Sequence, residues 1–272
     1  MLKKRIYTAI CLAAVLFLVL WSQSSRLFGL FLLVFFCAGS WENARLFENR
    51  HPFVMAAVSG IVFIVALSWF PEDAYVMCIM ASVAIWILFL IPSLFRELPK
   101  PGTVMAYLYQ LLYWLSILGS FLSVYVLYIR SAVLLLSILM IVWLADIGAY
   151  FAGRAFGKRK LAPAISPGKT WEGVVGGLCA VIVAAVVVVW LIPLEDNIAW
   201  RIYVRYGPIA MLAGLVLLVA LSIVGDLLES KLKRRRGFKD SSNLLPGHGG
   251  VLDRIDSLIP VLPLAVLLGV WL

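Results

Sequence analysis

With 272 residues, 64% hydrophobic and only 14% charged, and a mean hydropathy of +1.03, the chain is far more apolar than a soluble domain, which is near half apolar and a quarter charged. A soluble fold of this length could not bury so much apolar surface, so a bilayer is the solvent for most of it. The net charge of +9 would suit a nucleic-acid binder, but no basic stretch is interleaved with aromatic residues, and in a membrane protein basic residues first report topology.

Apolar runs long enough to cross ~30 Å of hydrocarbon fall at 6–21, 27–41, 53–70, 74–95, 104–128, 131–152, 172–194, 208–228 and 255–272. The first two are short and could instead form a re-entrant hairpin. The first follows Lys3, Lys4 and Arg5 like a signal peptide, but Trp21 and Gln23 stand where a small-residue cleavage site would be needed. It reads as an uncleaved first span. The expected architecture is an all-α integral membrane protein of about nine spans. Residues 1–130 form an N-terminal transmembrane region of about five spans. Residues 131–272 form a catalytic region of about four, with its loops at 153–171 and 229–254 on the cytoplasmic side. Cys11, Cys37, Cys78 and Cys179 stand alone in apolar runs without metal or redox spacing.

Charge orients the nine runs. With the N-terminus in the cytoplasm, 19 Lys and Arg fall inside and only four outside, namely Arg26, Arg130, Arg201 and Arg205. The opposite orientation would reverse the positive-inside bias.

Acids within spans cost roughly 2.5–3.5 kcal/mol at mid-membrane. Three places accept a cost of this kind: Asp146, the pair Asp226 and Glu229, and the pair Asp253 and Asp256. All lie near the cytoplasmic ends of their runs, and the i, i+3 spacing puts each pair on one helix face. A snorkelling acid paired with a loop arginine is the plain alternative, strongest for Asp146 alone. Oxygen donors without a His or Cys cluster suit Mg²⁺, usually held by one or two carboxylates plus substrate phosphates. His51 and His248 are the only histidines, which disfavours zinc.

Two loops join these acids. In Ser166-Pro167-Gly168-Lys169-Thr170-Trp171-Glu172-Gly173, Gly168-Lys169-Thr170 is similar to the end of a phosphate-binding Walker loop. The earlier glycine is missing, Pro163 standing there instead, and no strand is expected before it. A helix N-terminus starts beside Lys169, which favours an anion, although Thr170 and Glu172 also fit a plain helix cap. The second loop opens with six bases between Lys231 and Lys239, among them Lys233 and Arg234. A juxtamembrane run of this kind more commonly touches anionic headgroups or sets topology than binds substrate. Pro246-Gly247-His248-Gly249-Gly250 then leads into Asp253-Arg254. Three glycines let backbone approach a ligand and turn N–H groups toward an anion. Together the loops suggest a polyphosphate against Lys169 and the basic loop, with metal between carboxylates.

The run Ser230–Asp256, S-K-L-K-R-R-R-G-F-K-D-S-S-N-L-L-P-G-H-G-G-V-L-D-R-I-D, resembles the signature of the phosphatidate cytidylyltransferases. Gly225–Ser230, Ser166–Gly173 and Trp143–Arg154 resemble that family's other blocks; before residue 130 the resemblance is general only. It implies that CTP and phosphatidic acid give CDP-diacylglycerol and pyrophosphate with Mg²⁺, at the inner membrane of a bacterium. A second cation such as K⁺ and a homodimer belong to the same implication. Carried over by position, Asp226 and Asp253 are the foremost metal ligands, with Glu229 and Asp256 beside them. Lys239 and Asp240 hold phosphate and order the loop, and His248 and Arg254 contact phosphates. Ser166 and Lys169 line the nucleotide pocket, and Lys233, Arg234, Gly249 and Gly250 complete the substrate contacts.

Two other classes compete with this reading. A CTP-using polyprenol kinase would move the γ- rather than the α-phosphorus. A transporter or lipid-binding scaffold would line a path with midplane acids, whereas the acids here gather near one interface. The D-G-x-x-A-R pattern of the CDP-alcohol phosphatidyltransferases is absent.

Overall fold

Each of the nine apolar runs is helical over most of its length in the computed structural model, which describes residues 2–192 and 194–271. The side chains of Lys3, Lys4 and Arg5 lie outside the described residues. In chain order the helices are α1 (Leu2–Trp21), α2 (Ser25–Leu46), α3 (Pro52–Trp69), α4 (Glu72–Ser93), α5 (Val104–Arg130) and α6 (Ala132–Phe156). A hairpin of β1 (Lys160–Ala162) and β2 (Ser166–Thr170) follows, then α7 (Trp171–Trp190), α8 (Ile198–Arg235), the short α9 (Leu252–Ile255) and α10 (Leu258–Val266). Five of the starts carry side-chain caps. Ser24, Thr103, Ser131, Thr170 and Asn197 each accept a first-turn backbone N–H, satisfying donors that hydrocarbon cannot.

Seven of these helices, α2 to α8, are long and apolar enough to cross a membrane. The apolar parts of α1 (Ile10–Trp21) and of the C-terminal helix (Leu258–Val270) are shorter and reach only about 20 Å at 1.5 Å per residue. Two local departures from regular helix have identifiable causes. In α4 a π-turn at Trp86–Leu90 precedes Pro92, which has no N–H to donate. In α8 the chain bends at Gly207 (φ 85°, ψ 178°) before Pro208. The stretch from 198 to 206, expected as loop, is therefore a helical lead-in to the eighth apolar run, held by Arg201 donating to Gly269 O at 2.8 Å and pairing with Asp196.

Packing between helices in lipid rests on close contact rather than on escape from water, and two zones supply it. Phe36 lies 5.0 Å from Phe63 and 5.3 Å from Phe121 (ring centroids), joining α2, α3 and α5. In α6 and α7 small residues let the backbones meet: a Cβ on Gly148 would lie 2.8 Å from Ala180 Cβ, one on Gly177 2.5 Å from Ala145 O, and one on Gly176 would collide with Ala152. This pair is the most extensively packed in the molecule. It forms a rigid wall beside α8.

Candidate active site

The α6–α7 wall carries the first half of the site. The loop read as irregular around Gly168-Lys169-Thr170 is a hairpin: β1 pairs antiparallel with β2, and Trp171 N donates to Arg159 O at 3.0 Å. The backbone N–H groups of Lys158 and Arg159 donate to the Glu172 carboxylate at 3.1–3.2 Å, and Thr170 caps α7 by accepting from Gly173 N at 3.1 Å. Strand β2 thus delivers Lys169 toward α8, where its Nζ lies 2.6 Å from Asp226 Oδ2. The other oxygen, Asp226 Oδ1, accepts from Ser230 Oγ at 3.1 Å. Between α6, α7, β2 and α8 lies a cavity of about 460 Å³ lined by Asp146, Arg154, Ser166, Gly168, Lys169 and Asp226 among others. Two carboxylates and two cations at one otherwise largely apolar hollow can receive a charged phosphate group.

The second half is the loop after α8, and it is organised by carboxylates rather than open to an anion. Asp253 Oδ2 accepts from Ser241 N (2.8 Å), Ser241 Oγ (2.9 Å) and Gly250 N (2.7 Å), and Oδ1 accepts from Lys233 Nζ at 2.6 Å. Lys233 also pairs with Glu229. Burial alone would raise the Asp253 carboxyl, but these donors outweigh it and hold it below its ordinary value of 3.8. From α2, the fully buried Glu42 accepts from Val251 N at 3.0 Å, Leu252 N at 2.7 Å and Ser242 Oγ. Two of the glycines are explained by this crowding. A Cβ on Gly250 would strike Ser241 Oγ and Glu42 Oε1, and one on Gly249, which has φ +85°, would lie 2.7 Å from Asp253 Oδ2. Of the glycine-loop N–H groups, that of Gly250 is engaged by Asp253, and those of Val251 and Leu252 just after it are engaged by Glu42. His248 O accepts from Arg254 Nε (3.0 Å) and Nη2 (2.7 Å), which folds the exposed Arg254 back over the loop.

The basic run from Lys231 to Arg236 is likewise turned to the protein. Lys231 Nζ donates to the carbonyls of Ser93 (2.8 Å), Leu94 (3.0 Å) and Arg96, at the end of α4. These are the orphan acceptors of a helix C-terminus. Arg235 donates to Pro99 O and Leu46 O, both at 3.1 Å, and Arg236 pairs with Glu48 at 2.8 Å. Arg234 is exposed and makes only a long contact with Phe238 O, at 3.4 Å. Lys239 and Asp240 are exposed and line a separate polar hollow of about 310 Å³ with Arg45.

The structure therefore divides the residues singled out in the sequence. Ser166, Lys169 and Asp226 come together at the first cavity, and so does Asp146. Asp253, Glu229, Lys233 and Gly250 form a network behind it and are not among its lining residues. The Asp256 backbone packs against α8 beside Asp226, because Gly225 has no side chain: a Cβ there would strike Asp256 O. Among the described residues, no three His, Cys, Asp or Glu side chains are grouped to hold a metal ion.

The sequence profile described as "Cytidylyltransferase family" matches residues 3–271. The chain belongs to the cytidylyltransferase family. It is similar to a protein of Pseudomonas aeruginosa named phosphatidate cytidylyltransferase, 38% identical over 97% of this chain and 95% of that protein. A Haemophilus influenzae protein of the same name is 36% identical over 97% of this chain and 96% of its own length. A third relative of that name, from Brucella suis, is 46% identical over 47% of this chain and 44% of its own.

In this family member, Glu42 follows the second apolar run (27–41) as an acid that belongs only to the general resemblance before residue 130, with no role read for it in the sequence. It stands between Trp41 and Asn43 at the polar end of α2. Nothing local connects it to a loop about 200 positions away, and only the fold brings the two together.

Proposed function

We propose that the chain is a phosphatidate cytidylyltransferase, transferring CMP from CTP to phosphatidic acid at the cytoplasmic face of a bacterial inner membrane. The observation that carries this is the Lys169–Asp226 pair, 2.6 Å apart and lining a cavity between apolar helices. It unites the two polar blocks of a chain whose full-length relatives bear that name. All nine apolar runs cross, α1 and the C-terminal helix with local thinning of the bilayer, and the charge bias places this cavity inside, where CTP is available.

In the reaction an oxygen of the lipid phosphate forms a bond to the α-phosphorus of CTP, the bond to the β-phosphate oxygen breaks, and pyrophosphate leaves. The nucleophile is already an anion, so no general base is needed. What the protein must supply is orientation and positive charge against two polyanions and a charged leaving group. Lys169, Arg154 and the hairpin line the cavity that receives the phosphates. Lys169 now neutralises Asp226 and is placed to turn that charge to a polyphosphate.

The donor set fits Mg²⁺ held by Asp226, with Asp256, whose backbone packs on Gly225, as the next carboxylate and substrate phosphates as the remaining donors, since such an ion needs only one or two protein carboxylates. When bound it supplies charge neutralisation at the phosphates. Asp253 fits less well as a direct ligand because four protein donors already fill its two oxygens, against two at Asp226. It and Glu229 fix Lys233 and the loop instead. Purified protein in lipid–detergent micelles containing phosphatidic acid will form CDP-diacylglycerol from CTP with Mg²⁺ and stop on chelation. Failure to form it with Mg²⁺ present would exclude this function.

A further inference from the structure

We infer that Glu42 is a positioning residue for this reaction, clasping the 241–252 loop from outside and so fixing where Lys239 and Asp240 before it and Arg254 after it stand. The functional half of this statement rests on the reading just given; the clasp itself does not. Glu42 Oε1 accepts from Ser242 Oγ and from Val251 N at 3.0 Å, and Oε2 accepts from Leu252 N at 2.7 Å. The donors come from both ends of the loop, so one carboxylate closes it. Asp253 repeats the closure from within, through Ser241 N, Ser241 Oγ and Gly250 N. Gly250 sits between the two clasps, and any side chain there would strike Glu42.

The anchor is firm because α2 is itself tied down. Next to Glu42, Asn43 Nδ2 donates to Gln110 O at 3.2 Å, and Asn49 Nδ2 donates to Gln110 Oε1 at 3.2 Å, fixing the end of α2 to α5. A carboxylate that is 0% exposed is tolerable only when its lone pairs are met, and here three donors meet them. Glutamine has the same shape but one acceptor oxygen. Its amide would face a backbone N–H of Val251 or Leu252, donor against donor, and that bond would be lost. The N-terminal half of the molecule thereby acquires a task in the site: it sets the shape of the loop through one side chain.

The test uses full-length protein in micelles, with Glu42→Gln, Ser242→Ala, their double variant and the distant control Glu72→Gln. Loss of a hydrogen bond to a charged group predicts about a 30-fold fall in kcat/KM for Glu42→Gln and about 5-fold for Ser242→Ala. The double variant will be no worse than about twice Glu42→Gln alone, since both open one clasp. Amides in 241–252 will exchange hydrogen at least about tenfold faster in both single variants, while amides of α6 and α7 stay within about twofold. Glu72→Gln will match the native protein in both measurements. Should Glu42→Gln misfold, Ser242→Ala carries the same test alone. Activity of Glu42→Gln within about threefold of native, or exchange that quickens equally in α6 and α7, would overturn the inference. A native protein that forms no CDP-diacylglycerol would instead sink the assigned reaction, leaving the exchange data to judge the clasp.

Discussion

Replacing Lys169 by glutamine tests the cavity at its most exposed point of commitment. The Lys169 ammonium lies 2.6 Å from Asp226, and the two side chains are only 24% and 29% exposed, so solvent screens the pair incompletely. A hydrogen bond to a charged group contributes about 1.5–3 kcal/mol. If Lys169 transfers that interaction to the phosphates in the transition state, losing it lowers kcat/KM by about 10- to 150-fold at 1.36 kcal/mol per tenfold. Arginine will not restore full activity, because a planar fork does not replace a compact ammonium. The assay is steady-state CDP-diacylglycerol formation at varied CTP with saturating phosphatidic acid. A Lys169→Gln protein that keeps kcat/KM within about threefold, with unchanged thermal unfolding, would refute the assignment of Lys169 to the phosphates.

The other expectations separate architecture from chemistry. Gly176→Val will overpack the α6–α7 contact with Ala152 and cost about 1–3 kcal/mol, seen as a lower unfolding temperature in detergent. Within the basic run, Lys231→Ala will lower stability by about 1–3 kcal/mol through lost bonds to the end of α4 and leave the KM for CTP unchanged; Lys239→Ala will do the reverse. Asp253→Asn will loosen the loop to proteolysis at neutral pH. The Asp253 carboxyl is held below 3.8 when folded, so its contribution is fully present above that value and is lost as pH falls through the lowered one. The difference between native and Asp253→Asn will therefore close on acidification, and a gap that persists unchanged well below pH 3.8 would contradict the cause given.

The spans were legible because apolar length is read directly from the chain, and the start of α7 because Thr170 and Glu172 fit a helix cap. The bend in α8 was not. Gly207-Pro208 reads as a break, yet the left-handed glycine lets helix continue on either side. In the site, Lys169 and Asp226 were each visible through their motifs, but their pairing depends on how α7 packs on α6 and α8. The glycine loop was visible as a motif and its role was read too simply. Gly249 and Gly250 also make room for Asp253, Glu42 and Ser241, and the Gly250 N–H is held by Asp253. The six bases from Lys231 to Lys239 looked like a headgroup-facing run, and contacts with the end of α4, Leu46, Pro99, Glu48 and Asp253 turned four of them inward. Periodicity and charge identify such residues; only tertiary packing shows which way they point.

The central claim is transfer of the α-phosphorus, and the position of a radiolabel tests it most directly. Purified protein given phosphatidic acid, Mg²⁺ and CTP labelled at the α-phosphate will carry the label into the lipid product, while label at the γ-phosphate will leave as pyrophosphate. Label from the γ-position in the lipid, with α-label remaining in CDP, would contradict the account.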